Sequence, residues 1–466
     1  MSGGVWGSDR RLLTIGLIGL ITAVAFEGLA VATVLPQTAT ELDGLALYGW
    51  SFSAFWLTNI LGITLAGGDA DRHGPVRGFL AGALLFTIGL VLAAAAVDMP
   101  MLITARAVQG LGSGAIGAVV YVVVARAYPA AAHPRMLAVM SSAWVVPGLI
   151  GPALAAWITE VLHWRWVFGG LTLPVLILAA VAFRPIAALR PVDEPDGGGS
   201  TRAWAAVRLA TGSLLVLTGL TVAEPWAGAA LLIVGVVVTA TALRHLLPVG
   251  ALRLRRGAAA VPLVVFATTF AFFGAEAYIP LAITEIRGGT LTDGAVALSA
   301  STITWTTGSW LQARLVARGW RRGLVLVGTL LIALGVLLTA LVLLPGTPLL
   351  VAAIAWAIAG LGMGLAYTTL SLQTLESAEA GREGSASAAL QLTFTLGTAF
   401  GTGIGGAWVA LAAAGTLRLD AGIGIAFGIA VTVALLAAVA TVRLPGAGRA
   451  TGHRVEAIDP VAPPAR

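Results

Sequence analysis

Arg106-Ala-Val-Gln109-Gly110-Leu-Gly112-Ser-Gly114-Ala-Ile-Gly117 places a guanidinium and four glycines inside an apolar run near 101–125, long enough to cross a bilayer. A permanent charge at that depth is costly in lipid, so Arg106 must face protein or trapped water. Glycines two to four residues apart let neighbouring helices approach closely where lipid supplies no hydrophobic drive. Only glutamates stand at comparable depth in other spans: Glu27 in the first and Glu276 in the ninth. The polar centre of the chain is therefore these three residues.

Composition sets the class. Of 466 residues, 58% are hydrophobic and 10% charged, with a mean hydropathy of +0.95, whereas ordinary soluble domains carry roughly 25% charged residues. The sequence predicts an all-α polytopic membrane protein. Cysteine is absent, which removes disulfides, thiolate metal sites and cysteine nucleophiles. All 27 basic residues are arginine, so a P-loop or a pyridoxal Schiff base is excluded. The five histidines, at 73, 133, 163, 245 and 453, have no metal-ligand spacing. No cofactor and no enzyme activity are expected. The basic pI near 10.6 is assigned to loop arginines and not to nucleic acid.

Fourteen apolar stretches approach the ~20 residues a bilayer requires: 12–36, 47–67, 78–97, 101–125, 136–159, 166–184, 204–223, 226–246, 259–283, 294–313, 323–344, 348–371, 385–412 and 421–443. With a cytoplasmic amino terminus, 23 of the 27 arginines fall on the cytoplasmic side; Arg165, Arg287 and Arg418 fall outside, and Arg106 within the membrane. Both termini are thus placed in the cytoplasm of a multi-pass cell-membrane protein. Arg10-Arg11 resembles a twin-arginine export signal, but the long run that follows contains Glu27 and reads as an uncleaved first helix. Tryptophans near span ends, Trp50, Trp164, Trp166, Trp204 and Trp226, read as interfacial anchors.

The chain repeats itself at an offset of about 250. Gly110-Leu-Gly112-Ser-Gly114 recurs as Gly360-Leu-Gly362-Met-Gly364, and Gly74-Pro-Val-Arg77-Gly78 as Gly319-Trp-Arg321-Arg322-Gly323. Pro36 with Thr40-Glu41 matches Pro280 with Thr284-Glu285, and Arg106 aligns with Trp356. The expected organisation is an N-terminal six-helix bundle (1–186), a cytoplasmic linker (187–203), two inserted helices (204–246), a C-terminal six-helix bundle (247–445) and a polar tail (446–466). The inserted pair has no mid-span ionisable residue and is expected to be peripheral. Repeats of this kind point to a transporter with its site between the halves. Gly112-Ser-Gly114-Ala-Ile-Gly117 and Gly401-Thr-Gly403-Ile-Gly405-Gly406 satisfy a dinucleotide-binding spacing, but no strand precedes either, so helix packing is the reading adopted.

These motifs resemble those of the major facilitator superfamily, and within it the fourteen-span drug:proton antiporters. Gly67-Gly-Asp-Ala-Asp71-Arg72-His-Gly74 looks like the signature loop between spans two and three, with Pro75 and Val76 where basic residues are usual and only Arg77 retained. Arg106 to Gly112 resembles the fourth-span motif. Pro147-Gly148-Leu-Ile-Gly151-Pro152 resembles the fifth-span motif associated with antiporters, with alanines replacing its trailing glycines. Glu27, nine residues before Pro36, stands where many fourteen-span members carry aspartate, and Trp164-Arg165-Trp166-Val-Phe168 resembles the sixth-span opening.

The resemblance implies a proton-coupled exporter of lipophilic, often cationic, small molecules. Proton coupling is assigned to Glu27, Arg106 and Glu276, and a conformational latch to Asp71, Arg72, Gly74 and Arg77. A substrate wall is expected from Phe26, Phe52, Phe55, Trp56, Gln109, Phe270, Phe272, Phe273 and Tyr278. Desolvation pulls a carboxylate toward its neutral form and a neighbouring cation toward its charged form, so such a group can exchange a proton across a gradient. Rival readings are an exporter of lipid or of a self-made metabolite, a nutrient symporter, and a sensor or scaffold without transport. The antiporter-like fifth span opposes the symporter, and buried charge opposes the scaffold.

Overall fold

The computed structural model describes residues 6–7, 10–129, 132–189, 199–222, 224–316, 318–378 and 383–445, which form helices and no strand. Fourteen long helices follow one another: α1 (Arg11–Glu41), α2 (Tyr48–His73), α3 (Pro75–Ala94), α4 (Met99–Ala127), α5 (His133–Val161), α6 (Arg165–Ala187), α7 (Gly199–Gly219), α8 (Pro225–Leu246), α9 (Val261–Glu276), α10 (Leu291–Val316), α11 (Arg321–Thr339), α12 (Leu350–Glu376), α13 (Glu383–Ala413) and α14 (Leu419–Ala440). A short turn, Ile279–Leu281, and a π-helical turn, Ala282–Ile286, continue α9 past Pro280. By contrast α1 runs through Pro36 unbroken.

Local chemistry sets the boundaries. Asp98 caps α4, its Oδ1 accepting from the Met101 amide at 2.8 Å, and Pro100 sits in the first turn, where a missing N–H costs nothing. Between α2 and α3, Gly74 takes φ +84°, a left-handed backbone that Pro75 then stops from continuing the preceding helix. Of the expected linker, 190–198 lies outside the described residues, as does the tail from 446. Gly199–Ala203 is already helical and opens α7. A helix, unlike an apolar span, need not stop at the membrane surface, so α7 begins ahead of the apolar stretch 204–223.

Eleven of the helices are long and apolar enough to cross a membrane, and the protein is a multi-pass membrane protein. The remaining three are α2, α7 and α10, of which α7 is a shorter apolar helix over Ala203–Gly219. Two of them, α2 and α10, occupy corresponding places in the sequence repeat and carry hydroxyls such as Ser51, Ser53 and Thr58, and Thr302, Thr304 and Thr306. A polar helix in a membrane protein belongs on the inside.

The repeat extends to packing. In the first set α2 and α3 pack on α4, α1 packs on α5 and α6, and α3 on α6; in the second, α10 and α11 pack on α12, α9 on α13 and α14, and α11 on α14. The two largest crossings between the sets are α2 on α13 and α5 on α10. The recurrent glycines explain the close packing. A Cβ at Gly110 or Gly114 would overlap the Phe55 or Asn59 carbonyl on α2, and one at Gly112 would overlap Phe86 on α3. In the second set Gly360 and Gly364 abut the Ser301 and Trp305 carbonyls on α10, and Gly362 abuts Gly328 on α11. Alternate glycines thus serve two neighbours at once. Gly117 is the exception, since a Cβ there would meet nothing within 4 Å.

The inserted helices form a hairpin closed by glycine, with Gly212 and Gly219 of α7 against Gly235 and Gly228 of α8. Helix α8 lies outermost, whereas α7 touches α2 and α13, where Leu217 reaches the space beside Gly403 and Ser53. The pair is peripheral in α8 only.

Candidate transport site

Helices α1, α2 and α4 meet at the buried charges. Glu27 is fully buried and Arg106 is 2% exposed, and Arg106 Nη1 donates to Glu27 Oε1. The same guanidinium donates from Nη1 to Gln109 Oε1 at 2.7 Å and from Nε to the Ser51 carbonyl at 3.1 Å. Its carbon lies 4.3 Å from the Phe55 ring centroid, a cation–π contact. Arg106 and Gln109 can share the carboxylate's surroundings because residues three apart lie on one helix face. Glu27 Oε2, Gln109 Nε2 and Ser51 Oγ have no hydrogen-bond partner among the described residues. One carboxylate oxygen is therefore held by a cation, and the other can take a proton without breaking that bond.

The second set repeats the placement with different chemistry. Glu276, half-buried at the end of α9, accepts a hydrogen bond from Trp356 Nε1 on α12 at 3.2 Å. Tryptophan thus stands where the first set has arginine, and the second carboxylate has a neutral donor in place of a counter-charge.

The proposed wall residues divide. Phe26 is half-buried beside Gly151 of α5, and Trp56 and Phe273 are half-buried. Phe55 is buried under Arg106, and Phe52 and Phe270 are buried. Tyr278 is a packing residue: it is fully buried, its hydroxyl donates to the Thr402 carbonyl, and its ring lies 5.7 Å from that of Tyr48, whose hydroxyl donates to the Ala277 carbonyl at 2.9 Å. Three interior aromatics are added by the structure, Trp305, Tyr367 and Phe394, each half-buried. Trp305 and Tyr367 lie on the helices equivalent to α2 and α4, which hold Arg106 and its neighbours, whereas Phe394 carried no such signal.

At the latch, Arg72 and Arg77 are exposed and Gly74 is buried, while the Asp71 side chain lies outside the described residues. Arg126 of α4 donates to the Ala70 carbonyl at 3.3 Å. At the corresponding place of the second set, Arg321 Nη2 donates to Glu376 Oε1 at 2.9 Å. In α5, Pro147, Gly148, Gly151 and Pro152 are buried, and a Cβ at Gly148 would strike Thr302 of α10. The motif thus sits on one of the two largest crossings between the sets.

Trp164 corrects the anchor assignment. It is fully buried and donates to Glu41 Oε2 at 2.7 Å. Arg165 donates to Glu41 Oε1 at 2.6 Å and to the Ala96 carbonyl at 2.9 Å, tying α1, α3 and α6 together at the end away from the amino terminus. Trp166, Trp204 and Trp226 are exposed. Among the described residues no group of three or more histidines or carboxylates could hold a metal ion.

The family model for the Major Facilitator Superfamily matches residues 15–402. The chain belongs to the major facilitator superfamily. It is a transporter and not an enzyme. It is 28% identical over 428 residues to the multidrug transporter protein MdtP of Bacillus subtilis (strain 168), covering 89% of this chain and 77% of that protein. It is 26% identical over 459 residues to the "Probable multidrug-efflux transporter MT1670" of Mycobacterium tuberculosis (strain CDC 1551 / Oshkosh), covering 92% and 96%. Among solved structures, an auto-inhibited POT family peptide transporter superposes with a TM-score of 0.70 at 16% identity, over 93% of this chain and 97% of that one. A D-xylose-proton symporter superposes with a TM-score of 0.63 at 16% identity, over 94% and 98%. These two speak for the fold.

Proposed function

We propose that the protein is a proton-coupled antiporter that exports lipophilic, often cationic, small molecules by alternating access. In this reading the fourteen helices all span the cell membrane, with both termini cytoplasmic. Helices α1–α6 and α9–α14 are the two bundles, and the hairpin α7–α8 lies between them in sequence. The observation that carries the reading is the buried Glu27–Arg106 pair with its unengaged Oε2. Among charges inside a membrane, a carboxylate bonded to a cation at one oxygen alone can alternate between holding a proton and holding a counter-charge. Loss of the proton leaves charge in the cavity that favours a cationic substrate, and binding of that substrate favours loss of the proton. Mutual exclusion of this kind couples opposite movements.

The multidrug naming of the relatives supports the substrate class, and the α5 motif on the α5–α10 crossing supports antiport. The latch residues Asp71, Arg72, Gly74 and Arg77 take the role of a contact made in one conformation and released in another. Substrate-dependent proton release from the purified full-length protein, in weakly buffered detergent solution, tests the reading. Addition of a transported cationic dye should release protons, and this release should vanish in Glu27→Gln; dye binding with no proton movement in the wild type would refute coupling.

A further inference from the structure

Between α8 and α9 the chain Leu247-Pro-Val249-Gly250-Ala251-Leu252-Arg253-Leu254-Arg255-Arg256-Gly257 folds back on itself. Gly250 takes φ +90°, its carbonyl accepts from the Arg253 and Arg255 amides, each at 3.2 Å, and a 3-10 turn, Ala251–Arg253, follows. The loop is pinned on both sides. Leu247 and Ala251 are buried in a cluster with Ala389 of α13, and the Gly257 amide donates to the Arg443 carbonyl, just past the end of α14, at 2.8 Å. Leu254 takes φ +48°, a conformation that a leucine keeps only where its surroundings impose it, and its side chain packs on the apolar cluster that contains Val261 and Val264 of α9.

What this scaffold presents outward is apolar and basic together. Val249 is 92% exposed and Leu252 40%, while Arg253, Arg255 and Arg256 are exposed, as is Arg244 in the last turn of α8. The stem of Arg255 lies across Gly250, where a Cβ would stand 2.6 Å from its Cδ. Among the described residues none of these four arginines has an ion pair or a side-chain hydrogen bond, whereas Arg165, Arg321 and Arg418 each bond a carboxylate. Arginine in a loop beside a span fixes orientation, but that role needs neither a pinned backbone nor exposed valine and leucine. The helices on both sides of the loop, α8 and α9 with its continuation, are long and apolar enough to cross a membrane. The apolar tips therefore stand where acyl chains meet headgroups, with guanidinium groups beside them at the level of lipid phosphate. A soluble anion would leave Val249 and Leu252 with nothing to contact.

We infer that the loop 247–257, with Arg244, is a docking surface for an anionic phospholipid: Arg253, Arg255 and Arg256 take the headgroup, and Val249 and Leu252 enter the acyl boundary. Guanidinium groups hold phosphate through paired N–H donors, and clustered arginines beside a span favour a lipid of net negative charge over a zwitterionic one. Because the loop is fixed to α13 and to the end of α14, a lipid held here is held to the second set of helices. Neither export nor proton coupling enters this inference.

The test places a fluorophore on the loop: Val249→Cys in this cysteine-free chain, labelled with bimane, in the full-length protein in detergent micelles. Phosphatidylglycerol and phosphatidylcholine with brominated acyl chains are titrated in turn, since bromine quenches only at close range. Half-quenching should need a mole fraction of phosphatidylglycerol about tenfold lower than of phosphatidylcholine. Arg253→Gln, Arg255→Gln and Arg256→Gln combined in the labelled protein should erase that difference and leave quenching by phosphatidylcholine unchanged, which also reports that the loop is still in place. Arg418→Gln, on an arginine paired with Asp420 outside this loop, should keep the preference, and a large excess of inorganic phosphate should not relieve the quenching. Equal quenching by the two lipids in the labelled parent, which requires no arginine variant, would overturn the surface. So would a preference retained in the triple variant, its loss in Arg418→Gln, or relief by inorganic phosphate, the mark of a free-anion site in place of a lipid dock.

Discussion

Replacing Arg106 by methionine keeps an unbranched side chain over Phe55 and removes the charge. It deletes the bonds to Glu27, to the Gln109 amide oxygen at 2.7 Å and to the Ser51 carbonyl at 3.1 Å. With Glu27 fully buried, breaking a buried pair by removal of one partner costs about 3–5 kcal/mol, most of it the uncompensated charge left behind. Adding Glu27→Gln removes that charge, so the double variant should regain the larger part of the loss. The Ser51 carbonyl and the Gln109 amide oxygen, left without their donor, set the remainder. The assay is thermal and denaturant unfolding of the four proteins of the cycle, wild type, each single and the double, in one detergent and at one pH. A coupling energy of at least about 2 kcal/mol is expected, within the range for residues in direct contact. Arg106→Met as stable as the wild type, or a double variant no more stable than Arg106→Met, would refute the claim that the two charges are buried against each other.

The topology predicts that a cysteine placed at Ser200 in this cysteine-free chain is unreactive to an impermeant thiol reagent on intact cells and reactive after permeabilisation; labelling from outside would contradict cytoplasmic termini. Substituting the polar residues of the inserted hairpin, Thr211→Val, Ser213→Ala and Thr218→Val, should leave proton-coupled export within twofold of the wild type, as measured by dye efflux from inverted vesicles. Loss of export in a folded triple variant would place α7 on the transport path. At the tie between α1, α3 and α6, Arg165→Ala removes the bonds to Glu41 and Ala96. The pair is about one-third exposed on both sides, so unfolding measurements should show a loss of no more than about 1 kcal/mol.

Much of this was legible because a membrane limits what a charge can do. Three ionisable residues inside apolar runs had few ways to be accommodated, and the Glu27–Arg106 contact is one of them. The glycine repeat was legible for a similar reason: without hydrophobic drive between helices, close approach needs small residues, and Gly110 and Gly114 meet α2 while Gly112 meets α3. Gly117 carried the same spacing and packs against nothing, since periodicity does not say which face meets a partner. Trp164 lay at a span end like a lipid anchor, but its partner Glu41 is over a hundred residues away and no local pattern links them. The contacts of Trp305, Tyr367 and Phe394 were hidden for the same reason. These rings come from α10, α12 and α13, and only the folding of the second set brings them together, whereas Tyr278, which looked equivalent in sequence, is spent on the contact with Thr402.

The central claim is that Glu27 carries the proton that drives export, and the most direct measurement is uphill dye efflux by Glu27→Gln in proteoliposomes under an imposed pH gradient. Glutamine preserves shape and hydrogen bonding and cannot titrate. The account predicts that uphill efflux falls to the leak of protein-free liposomes while dye binding persists and loses its pH dependence. Gradient-driven efflux in Glu27→Gln at near the wild-type rate would contradict it and move coupling to Glu276 or to the carboxylates at Asp69 and Asp71.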